Sequence, residues 1–155
     1  MTTEPAPDTL HASADPERLA LVIRLDGADG AQPARFVLVR EDDDGPLRLL
    51  DVAAPTFDAS VDEVVASVLR TRLGVDPAGE VAECAERRPR RSARWREGHV
   101  GVGWVRAVAV TVDAALDPAP SVVGVEALTL DEAEAALATS LERALLRDGA
   151  ALLEG

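Results

Sequence analysis

The chain has 155 residues, of which 47% are apolar although only two Phe, two Trp and no Tyr occur, so a single-domain core has to be packed from Val, Leu, Ala and Ile. All sixteen basic residues are arginine, a bias expected of a high-GC bacterial genome, and without lysine neither Schiff-base catalysis nor a phosphate-loop lysine is available. The formal charge of −12 opposes polyanions and membrane surfaces unless positive charge is gathered locally, and Cys84 as the sole cysteine excludes an internal disulfide and a multi-cysteine metal site.

Residues 1–16 (MTTEPAPDTLHASADP) contain no apolar run of signal-peptide length, and their Pro, Ala and Asp content predicts a disordered tail ahead of one domain over 17–155. No apolar stretch is long enough to cross a bilayer, so a cytoplasmic protein without a membrane partner is expected. Leu19–Leu25 and Phe36–Arg40 read as paired strands around a Gly-, Asp- and Pro-containing link. Glu41-Asp42-Asp43-Asp44-Gly45-Pro46 is a turn, and Leu47–Val52 reads as a third strand.

Ser60 with Glu63 three residues on is the reciprocal pattern that satisfies free amides at a helix start. Val61, Val64, Val65, Val68, Leu69 and Leu73 then form one apolar stripe, and Gly74 supplies the stop. Val81–Ala85 reads as a short strand, followed by an arginine-rich loop and a long central strand over Val100–Val112. Glu126–Leu130 reads as the last strand, while Thr129 with Glu132 and Thr139 with Glu142 predict two further helix starts. The element order predicts an α/β (α+β) domain, a mixed sheet sandwiched between helices.

That order, with a capped helix after the third strand, resembles the Nudix hydrolase family over roughly residues 18–148. The family signature, G-x5-E-x7-R-E-U-x-E-E-x-G-U with U aliphatic, can be set in register by Leu73-Gly74-Val75. Ala53 then stands at the leading glycine and Ala59 at the first glutamate. Ser67-Val68 stands at the Arg-Glu pair, Leu69 at the aliphatic position and Thr71-Arg72 at the Glu-Glu pair. The resemblance implies a Nudix-like fold in which glutamates on that helix would hold magnesium to cleave a pyrophosphate. The box is degenerate here, so the usual metal mechanism is not expected. Asp58, Asp62 and Glu63 are the remaining candidates for a displaced metal site, although acids in a first helical turn also favour the helix dipole and Glu63 completes the cap.

His11 and His99 are too far apart for metal-ligand spacing and complete no readable Ser/His/Asp set, and Cys84 reads as a packed thiol. Six arginines and no acid fall in Arg87-Arg88-Pro89-Arg90-Arg91-Ser92-Ala93-Arg94-Trp95-Arg96. Guanidinium groups grip phosphates and Trp95 offers a stacking face, so this segment is a candidate anion site; the plainer alternative is a solvated loop paired loosely with the molecule's own acids. Arg106 lies in register with Trp104 on an otherwise apolar face and needs either a carboxylate partner or a ligand.

Two functions are expected from these residues. The first is a non-catalytic or accessory module that binds a nucleotide-like or phosphorylated ligand, or a protein partner, and needs no cofactor. The alternative is an atypical hydrolase of nucleoside diphosphate derivatives with a rebuilt site for Mg or Mn. A homodimer or assembly partner is a third reading, and duplex DNA is disfavoured by the charge and by the lack of a DNA-reading motif.

Overall fold

The computed structural model describes residues 17–26, 34–55, 59–96 and 99–154, the side chains of 91–96 and 99–102 excepted. The expected tail over 1–16, with His11, and the metal candidate Asp58 lie outside the described residues. The strands are β1 (Arg18–Leu25), β2 (Arg35–Arg40), β3 (Leu50–Ala53), β4 (Ala82–Glu83), β5 (Arg88–Arg96), β6 (His99–Val112) and β7 (Gly124–Leu128). The helices are α1 (Val61–Val68), which continues as a π-helical turn over Leu69–Leu73, α2 (Leu130–Ala136) and α3 (Ser140–Glu154).

The strands join in one mixed seven-stranded sheet, ordered β4-β6-β1-β2-β7 with β3 on β1 and β5 on β6. β1 lies at its centre because Leu19, Ala20, Leu21, Val22 and Ile23 are all buried, and a strand covered on both faces needs apolar side chains in both directions. It runs parallel to β6 from Arg18↔Val105 to Leu25↔Val112. Its other edge is shared by β3, from Arg18↔Ala53 to Leu21↔Leu50, and by β2 at Arg24↔Phe36, both antiparallel.

Alternation along the strands divides the core into two layers. Leu19, Leu21, Ile23, Val108, Val110 and Val112 face α1 and its π turn, which bury Val65, Leu69 and Leu73. Ala20, Val22, Leu38, Val105 and Ala107 face α2 and α3, which bury Ala133, Leu137, Leu145 and Leu146. The domain is therefore the expected mixed sheet between helices, and among the described residues its core is aliphatic apart from Phe36.

The α1 start matches its reading: Glu63 N–H donates to Ser60 Oγ at 3.1 Å and Ser60 N–H donates to Glu63 Oε1 at 2.9 Å. Gly74 ends the π turn at φ 68, in the left-handed region, and the loop beyond crosses so close that a Cβ there would meet Asp117 Cβ and O at 2.8 Å. The same reciprocal cap opens α2 at Thr129.

Three element expectations are corrected. The last strand is Gly124–Leu128 rather than Glu126–Leu130, because Thr129 caps α2 and Leu130 begins it. The third strand begins at Leu50 rather than Leu47; Leu47 and Leu49 are buried nonetheless, and Arg48 makes only an isolated bridge to Val39. The arginine-rich segment is not a loop but β5, antiparallel to β6 from Arg88↔Val105 to Arg96↔His99, with a register shift between Arg91 and Trp95. The ladder takes its backbone hydrogen bonds, and arginine can lay its methylene stem along a sheet while its head stays in water.

Candidate ligand-binding site

Because β5 begins as a regular strand at Arg88, alternate residues there share a face. Arg88 and Arg90 pair with Val105 and Gly103 and so share the α3 face. Arg88 makes a two-pronged contact with Asp148 of α3, Nε to Oδ2 at 2.7 Å and Nη2 to Oδ1 at 2.9 Å, and this hydrogen bonding raises the Arg88 pKa above its ordinary value. Arg90 turns instead to Asp51 of β3, with Nη1 to Oδ2 at 3.6 Å.

Arg87, Trp104 and Arg106 are on the α1 face. The Arg87 guanidinium lies 5.3 Å from the centre of the Trp104 ring, and that indole is 44% exposed. Arg106 stands between Glu17, Nε to Oε2 at 3.0 Å, and Glu83, Nη2 to Oε1 at 3.1 Å, so it has the carboxylate partners its half-buried position calls for. The Arg106–Glu17 contact is close but lacks hydrogen-bond alignment, leaving Nε and Oε2 unsatisfied among the described residues. The sheet thus separates Arg88 and Arg90 from Arg87, Trp104 and Arg106. Arg91, Arg94, Trp95 and Arg96 follow along β5.

On the α3 face a cavity of about 200 Å³ opens between β3, β5, β6 and the start of α3. Ala20, Leu49, Val105, Leu141 and Leu145 supply its apolar walls, and Arg48, Asp51, Arg90, Thr139 and Glu142 its polar ones. Glu142 is already engaged: Oε2 accepts from Leu49 N–H at 3.0 Å, and its own N–H donates to Thr139 Oγ1 at 3.1 Å.

An ion-pair chain runs from this cavity toward the π turn. Asp51 is flanked by Arg18 (Nη2 to Oδ1, 3.2 Å), Arg48 (Nη2 to Oδ1, 3.7 Å) and Arg90. Arg48 also reaches Glu41 (Nη1 to Oε1, 3.6 Å), and the other Glu41 oxygen accepts from Arg72. Four guanidiniums therefore share two carboxylates. Of these four, sequence reading named only Arg90 as a ligand contact. Arg18, Arg48 and Arg72 were missed because only the pairing of β1 with β3 and the packing of the π turn bring them together.

A shallow groove beside α1 is lined by Val52, Ala59, Glu63, Val64, Ser67 and Val68. Leu19 pairs with both Val52 and Arg106, so the groove's β3 wall stands two strand spacings, about 10 Å, from Arg106. A hard divalent cation needs several oxygen ligands, preferably carboxylates. Among the groove residues the sole carboxylate is Glu63, with one oxygen committed to the Ser60 amide, while Asp62 is an exposed first-turn residue. Among the described residues no three His, Cys, Asp or Glu side chains are grouped to hold a metal. Asp62 and Glu63 by themselves offer too few free oxygens for magnesium.

A mixed sheet with α1 on one face and a helix pair on the other, and a capped helix entering directly after the third strand, defines an α+β sandwich. No protein-family model matches the sequence, and no curated protein matches it. Solved structures identify the sandwich. The chain superimposes on the E. coli dihydroneopterin triphosphate pyrophosphohydrolase with a TM-score of 0.67 at 10% identity, covering 91% of this chain and 97% of that one. The NUDIX domain of Shewanella oneidensis NrtR, complexed with ADP ribose, gives 0.61 at 18% identity over 96% and 94%. The C-terminal domain of mouse MUTYH, complexed with human PCNA, gives 0.54 at 17% identity over 85% of each chain. The fold of this chain is the Nudix fold.

Proposed function

We propose that this chain is a non-catalytic binding module on the Nudix fold that takes a nucleotide-like, phosphorylated ligand in the α3-face cavity. One observation carries the reading: four arginines, Arg18, Arg48, Arg72 and Arg90, share the carboxylates of Glu41 and Asp51, and two of them, Arg48 and Arg90, line a cavity with apolar walls in which Glu142 is the other carboxylate. Such a local surplus of guanidinium attracts phosphate despite the net charge of −12, and the apolar walls suit an uncharged ring. Arg72 occupies the position at which the family signature places a metal-binding glutamate, so arginine supplies the positive charge there. The NrtR domain complexed with ADP ribose supports a nucleotide-like ligand for this fold. The Arg87–Trp104 surface on the other face is a secondary candidate for the same ligand class.

The test is a panel of ADP ribose, nucleoside triphosphates, dinucleotides and nucleotide sugars. Binding is read by calorimetry in EDTA and turnover by mass spectrometry with Mg or Mn. At least one panel member is expected to bind in EDTA and survive intact, and Arg48→Ala or Arg90→Ala to weaken it about tenfold, the equivalent of one lost charge-assisted contact at ~1.4 kcal/mol. Metal-dependent cleavage lost on changing Asp62 and Glu63 to Ala would overturn this reading in favour of a hydrolase with a rebuilt Mg or Mn site.

A further inference from the structure

Asp51 stands between Arg48 and Arg90 in the cavity's polar lining, whose other carboxylate, Glu142, is engaged by the Leu49 amide. The Asp51 backbone is held by β3, which pairs it with Ala20 of β1, so the side chain starts on the cavity's face of the sheet, and its carboxylate is held there by ion pairs. Its three guanidinium neighbours are not equivalent. Arg18 addresses both oxygens, Nη2 to Oδ1 at 3.2 Å and Nε to Oδ2 at 3.3 Å. Arg48 and Arg90 stand at 3.7 and 3.6 Å, beyond hydrogen-bond reach, and it is these two that line the cavity.

We infer that Asp51 is an internal anion that sets both the affinity and the charge preference of the cavity for an external one. This rests on the reading above that the cavity receives a phosphate group. An arriving phosphate takes N–H groups of Arg48 and Arg90 that make no hydrogen bond among the described residues, while sharing their field with a carboxylate only 20% exposed, and it meets that carboxylate's repulsion at short range. Repulsion grows with ligand charge, so Asp51 handicaps a polyanion more than a single phosphate. A merely structural Asp51 has the opposite signature: its loss would let Arg48 and Arg90 wander and weaken every anion alike.

The experiment titrates full-length protein with inorganic phosphate and with pyrophosphate by calorimetry at constant ionic strength. Asp51→Asn is expected to bind phosphate about tenfold more tightly, with a larger gain for pyrophosphate, as removal of one like charge at close range predicts. Glu80→Gln, the same charge change at an exposed residue away from the cavity, is expected to leave both affinities unchanged. The double variant Asp51→Asn/Arg90→Gln is expected to lose the gain. Asp51→Ser is measured in parallel, so that the outcome does not hang on one variant folding. Unchanged or weaker binding by the Asp51 variants, with Arg48→Ala still impairing the parent, overturns the inference and leaves the cavity assignment standing. Failure of the folded parent and the folded Asp51 variants alike to bind either anion overturns both.

Discussion

Placing a methyl group on Gly149 should pry α3 from the sheet. Gly149 is buried in the middle of that helix, and a Cβ built there would lie 2.4 Å from both Cβ and Cγ2 of Val22 and 2.9 Å from its Cγ1. Val22 is itself fully buried on the central strand, and rotating its side chain cannot move its Cβ. Relief to ordinary contact requires helix and strand to part by about 1 Å, and overpacking of this kind costs ~1–3 kcal/mol. Alanine recovers ~1 kcal/mol of helix propensity relative to glycine. With rigid backbone-attached atoms on both sides the upper end applies, leaving Gly149→Ala less stable by ~2 kcal/mol, or ~4–8 °C in Tm for a chain of this size. Urea unfolding followed by far-UV circular dichroism measures it. A midpoint equal to or above the parent's would refute the close packing of α3 on β1. Leu141, Glu142 and Leu145 on α3 wall the cavity, so the same variant is expected to lose ligand affinity along with stability.

Two further outcomes follow from the helix starts. Ser60→Ala removes the acceptor for the Glu63 amide, while the backbone N–H at position 60 still donates to the Glu63 carboxylate, and it should cost ~1 kcal/mol by the same urea assay. Glu132 is held below the usual carboxylate range by the Thr129 backbone N–H first and the Thr129 hydroxyl second. A depressed folded-state pKa gives stability that is fully present above the ordinary glutamate range and is lost as pH falls through the lower folded value. Acid titration of Tm should therefore fall more steeply for the parent than for Glu132→Gln, and parallel curves would refute the assignment.

The parts of the fold that were readable in the sequence are those set by short-range chemistry. The caps at Ser60, Thr129 and Thr139 and the stop at Gly74 involve residues a few positions apart, and each stands where its pattern put it. The long strand β6 was readable because alternation over 14 residues leaves little else to form. β5 was hidden because arginine satisfies a strand through its stem and a loop through its head, and composition favours the second. The cavity was less readable still. Arg18, Arg48, Asp51 and Arg72 look like ordinary surface charges until the β1–β3 register and the π turn bring them together. Arg106 was legible as a residue needing a partner, while Glu17 and Glu83 as those partners were not.

The parallel pairing of β1 with β6 has a bearing on how the chain is made. Arg18 meets Val105 and Leu25 meets Val112, so β1 leaves the ribosome well before its main partner β6 exists. Until then β1 has only the antiparallel contacts of β2 and β3 along its other edge, and its run of Leu, Val and Ile is open to any neighbouring chain. A nascent chain stalled before β6 would present the most adhesive strand of the molecule with one side bare, which makes the interval between translating Leu25 and Val112 the period of greatest aggregation risk and the point at which a chaperone would matter most.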